Sequence, residues 1–192
     1  VHRLDKDTSG LMIAAKSDAA HQALAADFAA RRIDRKYLAL VWGVPKPSAG
    51  KIEGNIGRSP KNRRKMAVVS RGGREALTQN KVRERFGDAV SLIQCKLATG
   101  RTHQIRVHMT HIGHPIVGDA TYGRAPARKL RSLPMDTVQA IYDANRQLLH
   151  AGTLGFRHPS TEAMMSFDSD LPVEFETIIT KLRRTRHDTT VS

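Results

Sequence analysis

The chain has 192 residues, of which 40% are hydrophobic and 26% are charged, and this composition is typical of a single globular domain. No apolar run approaches the roughly 18 residues of a membrane span. The single cysteine, Cys95, excludes an intramolecular disulfide and a zinc site built from several cysteines, and we expect a reducing, cytoplasmic setting. Lys and Arg number 32 against 18 acidic residues, and the net charge of +14 favours a polyanionic partner.

The N-terminal part of the chain predicts a strand, a helix and a second strand. The apolar run 11–15 follows Gly10 and indicates a short strand. Ser17 is a residue type preferred at helix N-caps, so we predict a helix over 17–32. The aromatic and aliphatic segment 36–43 predicts a buried strand.

The next segments predict consecutive strands. They are a weak strand over 51–56, a hairpin of 66–69 with 76–86, and a strand over 90–97. Strands that follow one another in the chain favour antiparallel pairing. We therefore predict an α/β (α+β) protein with a mixed, mostly antiparallel sheet and flanking helices.

The second half of the chain predicts helices and one more hairpin. A helix opens at 99–102 and ends at Gly113, and the basic insertion 124–147 contains a helix near 136–147. The segments 148–156 and 164–168 predict a second hairpin.

The predicted domain ends with a helix that begins at Pro172. No linker divides the chain, so we predict one domain over 1–182, followed by a polar, basic tail over 183–192 that is disordered. At the other end, the chain opens at Val1 directly on a dense polar segment. Because chain ends usually fray, a chemical motif at this position leads us to expect that upstream sequence is missing.

A basic block lies between 58 and 74, where there are seven basic residues and no acidic one. Such a block suits a polyanion, since neutralised phosphates release their counterions. It is not an amphipathic helix, so we expect RNA or DNA rather than a membrane surface. A solvated loop is the alternative. The basic residues are Arg58, Lys61, Arg63, Arg64, Lys65, Arg71 and Arg74.

Asp5 and Asp7 lie in the segment 3–8 and allow two interpretations. An Asp-x-Asp-x-Thr loop could serve a magnesium-dependent phosphotransferase, but that chemistry prefers an apolar strand before the first Asp, and His2 and Arg3 interrupt one. The other interpretation is a polar turn.

Four histidines lie close together at 103, 108, 111 and 114 and raise the possibility of zinc. No cysteine, acidic residue or HExxH pattern accompanies them, and Arg106 lies among them. We therefore predict histidines that are packed or hydrogen-bonded.

Two further segments could contact a nucleotide. The Gly-Arg-Thr entry at 100–102 opens a helix whose free N–H groups could bind a phosphate. Tyr37 is either a core tyrosine or a ring that stacks on a base.

Taken together, these segments strongly resemble the RluA-type pseudouridine synthase family, which isomerises uridine in large-subunit rRNA and some tRNAs. The resemblance covers 1–182, and the basic insertion resembles the RluD-like branch, which acts on large-subunit rRNA. Members usually carry an N-terminal stretch that this chain lacks. The matching segments are 2–10, 36–41, 63–68 with Gly73 and Thr78, 100–108, 113–115, 118–119, 122–123, 149–151 and 158–159.

The resemblance implies a central active-site cleft with Asp5 as the essential carboxylate. Tyr37 stacks on the target base, Arg106 forms a salt bridge with Asp5, and Arg3 assists base flipping. The reaction requires no metal and no cofactor, and Asp5 acts either as a nucleophile or as a base. The expected RNA-binding residues are Arg3, Arg58, Lys61, Arg63, Arg64, Lys65, Arg101, Thr102 and His103.

We therefore predict a pseudouridine synthase that acts on RNA, with large-subunit rRNA as the main expectation and tRNA as a second. No membrane and no obligate protein partner is implied. A non-catalytic RNA-binding module that uses the basic block is the alternative.

Overall fold

A computed structural model describes residues 1–188, with side chains to residue 185. Within them an eight-stranded sheet has the order β1-β7-β2-β6-β5-β3-β4, with β8 also paired to β7. The strands are β1 (Ser9–Gly10), β2 (Asp34–Trp42), β3 (Ala49–Arg58), β4 (Met66–Val69), β5 (Arg74–Phe86), β6 (Val90–Leu97), β7 (Leu149–Arg157) and β8 (Met164–Asp168). The helices are α1 (Asp18–Ala29), α2 (Gln104–His111), α3 (Ala127–Arg131), α4 (Met135–Ala144) and α5 (Val173–Asp188).

The predicted fold class is confirmed. Every strand pair of the sheet is antiparallel except β1 with β7. None of the helices in the described part of the chain is long and apolar enough to cross a membrane.

Alternation along β2 separates two cores. Leu40 and Trp42 point into a cluster with Phe175 of α5, on one face of the sheet. Tyr37 and Val41 point to the opposite face and pack in the cluster that contains Ile105 and Met109 of α2. Because side chains alternate along a strand, this register places Tyr37 on the same side of the sheet as α2.

The strand predicted over 11–15 is wrong. Regular pairing stops at Gly10, although the Leu11 backbone N–H still donates to the Ala151 carbonyl oxygen at 2.9 Å. The remaining edge of β7, over 153–157, is already paired with β8. Residues 11–15 therefore have no free edge, and Leu11 and Ile13 pack in the cluster around Leu24 instead.

The hairpin predicted between 66–69 and 76–86 is also wrong, because β4 and β5 lie on opposite sides of β3. The connection between them passes close to β3. Gly73 has a φ of 74°, and a Cβ there would lie 2.9 Å from the Ile56 carbonyl oxygen. Glycine permits this close approach of the connection to the β3 backbone. In the sequence, the same glycines predicted a tight turn.

Two helix boundaries differ from the predictions. The helix predicted near 136–147 ends at Ala144, where Asn145 adopts a left-handed conformation with a φ of 47°. Helix α5 continues to Asp188, into the segment predicted to be a disordered tail. Arg183 pairs there with Glu84 at 2.7 Å, which fixes this turn against β5. Residues 189–192 of the predicted tail lie outside the described residues.

Candidate active site

Asp5 lies on an N-terminal segment that is fixed to the start of β7. Strand β1 pairs in parallel with β7, and Gly10 has a φ of 104°. A Cβ at Gly10 would overlap the Ala151 carbonyl oxygen, so this close approach requires glycine. The Gln147 side chain donates a hydrogen bond to the Lys6 carbonyl oxygen at 2.6 Å. These contacts hold the loop that presents Asp5.

A chain of three charged side chains lies beside this loop. Arg106 of α2 donates from Nε to Asp119 Oδ2 at 2.7 Å and from Nη2 to Asp119 Oδ1 at 2.9 Å. Its Nη1 lies 3.5 Å from Asp5 Oδ2. The Asp119 side chain is fully buried, whereas that of Asp5 keeps 16% of its surface exposed. The expected Arg106–Asp5 pair is therefore present, and Asp119 is a second, closer partner of the same arginine.

The environment keeps both members of the buried pair charged. Burial opposes ionisation of Asp119, but the hydrogen bonds from Arg106 and from the backbone N–H groups of Tyr122 and Thr121 outweigh it and lower the Asp119 pKa. Burial likewise opposes the charge of Arg106, and the two aspartates outweigh it and raise the Arg106 pKa. A cation at Arg106 favours the ionised form of a neighbouring carboxylate.

Asp5 and Tyr37 line one cavity of about 630 Å³. Of the expected RNA-binding residues, Arg3, Arg101 and Thr102 line the same cavity. Burial raises the pKa of Tyr37, although Arg35 opposes this, so the phenol stays neutral. The cavity volume is in the range of small-molecule sites, so a single base and its ribose fit its scale.

The loop 99–103 differs from the predicted helix entry. Helix α2 begins at Gln104, after His103 in a left-handed conformation with a φ of 57°. The Arg101 backbone N–H is not free, since it donates to Gln104 Oε1 at 2.9 Å. The Arg101 side chain donates from Nε to the Glu75 carbonyl oxygen at 2.9 Å. The idea of a phosphate site made of free N–H groups therefore fails at Arg101.

Tyr122 connects the chain of three charged side chains to the basic block. The sequence analysis placed it in a matching segment but predicted no role for it in the site. Arg106 lies over its ring at 5.1 Å. Its hydroxyl accepts a hydrogen bond from the Met66 backbone N–H at 3.0 Å and lies 2.8 Å from His103 Nδ1. Next to it, Lys65 Nζ donates to the Thr121 carbonyl oxygen. The end of the basic loop is thereby tied to the loop that carries Asp119.

The rest of the expected RNA-binding loop, over 59–65, joins β3 to β4 and is ordered by its own hydrogen bonds. The Ser59 N–H donates to the Lys65 carbonyl oxygen at 2.9 Å, and the Arg64 N–H donates to Asn62 Oδ1 at 3.0 Å. Arg58 adds to this order, since its Nη1 donates to the Arg63 carbonyl oxygen at 3.3 Å. Arg58, Lys61, Arg63 and Arg64 are all exposed, and none of them lines the cavity.

The clustered histidines do not converge on one point. His103 contacts Tyr122, His108 Nδ1 lies 2.9 Å from the Thr78 hydroxyl, and His114 Nδ1 lies 2.9 Å from the Trp42 carbonyl oxygen. Burial lowers the pKa of His108 to about 4. Among the side chains described, no group of three or more His, Cys, Asp or Glu residues could hold a metal ion.

Comparisons with known proteins agree with this arrangement. The sequence model described as RNA pseudouridylate synthase matches residues 1–111. The chain is 47% identical over 189 residues to ribosomal large subunit pseudouridine synthase D of Pseudomonas aeruginosa, covering 97% of this chain and 57% of that protein. It is 45% identical over 184 residues to the uncharacterized RNA pseudouridine synthase YlyB of Bacillus subtilis, covering 96% of this chain and 55% of that protein.

A solved structure shares the fold. Human RNA pseudouridylate synthase domain containing 4 superposes with a TM-score of 0.74 at 28% identity, over 95% of this chain and 74% of that one. The chain spans little more than half the length of the curated relatives. These matches confirm the resemblance to the RluA-type family and its RluD-like branch. With a family model that matches more than half of its length, this chain belongs to the RNA pseudouridylate synthase family.

Proposed function

We propose that the chain is the catalytic part of an RNA pseudouridine synthase that converts uridine to pseudouridine in large-subunit rRNA. The observation that carries this proposal is the position of Asp5, at the wall of a cavity of about 630 Å³, with Arg106 Nη1 at 3.5 Å and Tyr37 on the same wall. The domain comprises the predicted 1–182 together with the continuation of α5 to Asp188, and the setting is the cytoplasm, where rRNA is modified.

The reaction needs one carboxylate and a cavity that holds the target base. The target uridine leaves the RNA stack and enters the cavity, where Tyr37 stacks on the uracil. Asp5 either attacks the anomeric carbon or removes the 2′ proton of the ribose, and the bond from N1 to C1′ breaks. The uracil rotates and C5 bonds to C1′; in the first case this displaces the Asp5 carboxylate from C1′, and in the second C2′ regains the proton that Asp5 removed. C5 then loses its proton, and N1 carries a proton in the product.

The surrounding residues support this step without entering it. Arg106 pairs with Asp5 and positions its carboxylate, and Asp119 fixes Arg106. The product has the same atoms as the substrate, so no oxidant, reductant or water is consumed, and the reaction proceeds without a cofactor.

RNA is the proposed partner, and the basic loop 59–65 is its clamp. The named relative from Pseudomonas aeruginosa is a large-subunit enzyme, which supports rRNA over tRNA as the substrate. Arg58, Lys61, Arg63 and Arg64 would neutralise backbone phosphates outside the cavity, while Arg3, Lys65, Arg101, Thr102 and His103 lie nearer to the target nucleotide.

The test is incubation of the chain with unmodified large-subunit rRNA, in EDTA and in Mg²⁺, followed by mapping of pseudouridine. We expect the same modified positions with and without EDTA. Conversion that requires Mg²⁺ because the RNA must fold would be recognised by adding spermidine in EDTA, which restores RNA folding. RNA binding without any conversion, both in EDTA and in Mg²⁺, would contradict the proposal and favour a non-catalytic RNA-binding module.

A further inference from the structure

Arg35 is a buried cation that forms no ion pair with an acidic side chain in the described part of the chain. It lies on β2, two residues before Tyr37, and is 7% exposed. Its Nε is buried and makes no hydrogen bond within the described residues. The carboxylate nearest in sequence, Asp34, pairs with Lys36 and Lys96 instead. An unpaired charge at such a site is costly, so its retention calls for a partner.

The position of Arg35 points to where that partner binds. The residue forms part of the wall of the cavity that Asp5 and Tyr37 line. Its guanidinium carbon lies 5.2 Å from the centre of the Phe28 ring. Its Nη1 lies against Gly100, where a Cβ would be only 2.9 Å away. The aromatic ring and the glycine fix the plane of the guanidinium without neutralising its charge.

A second donor without an acceptor lies beside it. His2 stacks on the Phe28 ring, which Arg35 also contacts, with 4.7 Å between the ring centres. Its Nε2 accepts a hydrogen bond from the Ile13 backbone N–H at 3.0 Å, so the proton of the neutral ring is on Nδ1, which is buried and has no hydrogen-bond partner among residues 1–185. Burial, with help from Arg35, lowers the His2 pKa to about 4. The corner thus offers donors and one positive charge, which suit an anion.

We propose that Arg35 binds a phosphodiester group of the RNA strand next to the nucleotide that enters between Asp5 and Tyr37. This rests on the proposed function, since the strand that carries the target base must pass the mouth of the same cavity. A guanidinium presents two parallel N–H donors that match two phosphate oxygens. Arg35 would then be a positioning residue that places the ribose of the target nucleotide over Asp5.

The experiment compares RNA binding of Arg35→Met and Arg35→Lys, with Arg32→Met as the control. Met keeps an unbranched stem against Phe28 and removes the charge. Arg32 is largely exposed and pairs with Asp27, so its substitution removes the same charge outside the cavity. All variants carry Asp5→Asn, so that a large-subunit rRNA fragment binds without being converted, and melting temperatures verify folding.

The expected result is a smaller salt dependence for Arg35→Met alone. Loss of one phosphate contact reduces the slope of log affinity against log salt by about 0.7 to 0.9. Arg35→Lys keeps the slope but binds several-fold more weakly, because an ammonium cannot form the paired contact. Arg32→Met leaves both the salt slope and the RNA affinity unchanged.

Other outcomes would overturn the proposal. An unchanged slope in a folded Arg35→Met would show that Arg35 only packs against Phe28. If that variant does not fold, full RNA affinity in Arg35→Lys would equally overturn the paired contact. Failure of the proposed function is distinct from these results, because it is read as absence of pseudouridine in the parent with Asp5 intact.

Discussion

Arg106 is held by Asp119 through two hydrogen bonds, Nε to Oδ2 at 2.7 Å and Nη2 to Oδ1 at 2.9 Å. Both oxygens of the fully buried carboxylate are used, and the Asp119 Oδ1 also accepts from the Thr121 N–H at 2.9 Å. Such a paired contact fixes the plane of the guanidinium. Only Nη1 is left to face Asp5, so Asp119 determines where the positive charge is directed.

Asp119→Asn should therefore impair both stability and turnover. It leaves the Arg106 cation buried without its counter-charge, and removal of one partner of a buried ion pair costs about 3 to 5 kcal/mol. Urea unfolding measures the loss, and pseudouridine formation at saturating RNA measures the turnover. RNA affinity should change much less, since Asp119 does not line the cavity. Asp136→Asn is the control, because Asp136 is an exposed carboxylate paired with Lys181. The free energy of unfolding of this variant should barely differ from that of the parent.

The same pair predicts a pH dependence of stability. The folded-state pKa of Asp119 lies below its ordinary value of 3.8. Ionised Asp119 thus stabilises the fold above the ordinary value, and this contribution is lost as pH falls through the folded-state pKa. The difference in free energy of unfolding between the parent and Asp119→Asn should be largest near neutral pH and shrink as the pH falls below the ordinary Asp pKa of 3.8. A difference that grows in acid would contradict the assignment.

Tyr37 should act through its ring rather than its hydroxyl. Tyr37→Phe keeps the ring and the burial, so RNA affinity should stay close to that of the parent. Tyr37→Leu removes the ring, and loss of base stacking should weaken binding by about 1 to 3 kcal/mol. Fluorescence titration with an rRNA fragment in the Asp5→Asn background measures both. Equal affinities for the Phe and Leu variants would identify Tyr37 as a core residue only.

The basic loop should bind phosphates through Arg63 and Arg64, which are both exposed. Their double substitution by Ala should lower the slope of log affinity against log salt by about 1.4 to 1.8, from 0.7 to 0.9 for each lost contact. Lys51 and Lys81 provide the control pair, because they lie at the opposite end of the β3–β5 ladder. A slope that falls equally in the control pair would show that the loop makes no specific contact.

Sequence patterns were sufficient to predict the strand that carries Tyr37 and the mostly antiparallel class of the sheet. Apolar runs such as the one in β6, Val90–Leu97, appear in the structure with the predicted bounds. They were insufficient where the outcome depends on which edge is already occupied. Leu11 and its neighbours are apolar enough for a strand, but β8 occupies the edge of β7 that they would need.

The site shows the same division. The pairing of Asp5 with Arg106 was expected from the resemblance, and the structure has it at 3.5 Å. Asp119 lay within a matching motif, but nothing in its spacing from Arg106 indicates that the two side chains meet. Arg35 carried no usable signal, since it lies just before the predicted strand 36–43, and only the structure includes it in β2. Only the three-dimensional surroundings show that its Nε makes no hydrogen bond among the residues described.

The most direct test of the account compares Asp5→Asn with Asp7→Asn. Both substitutions remove one carboxylate from the same loop, and Asp7 is exposed with a left-handed φ of 68°, which Asn tolerates. We predict that Asp5→Asn abolishes pseudouridine formation in large-subunit rRNA while RNA affinity stays at the parent level, and that Asp7→Asn retains activity. Pseudouridine formed by Asp5→Asn at the parent rate would contradict the central claim that the Asp5 carboxylate performs the chemistry.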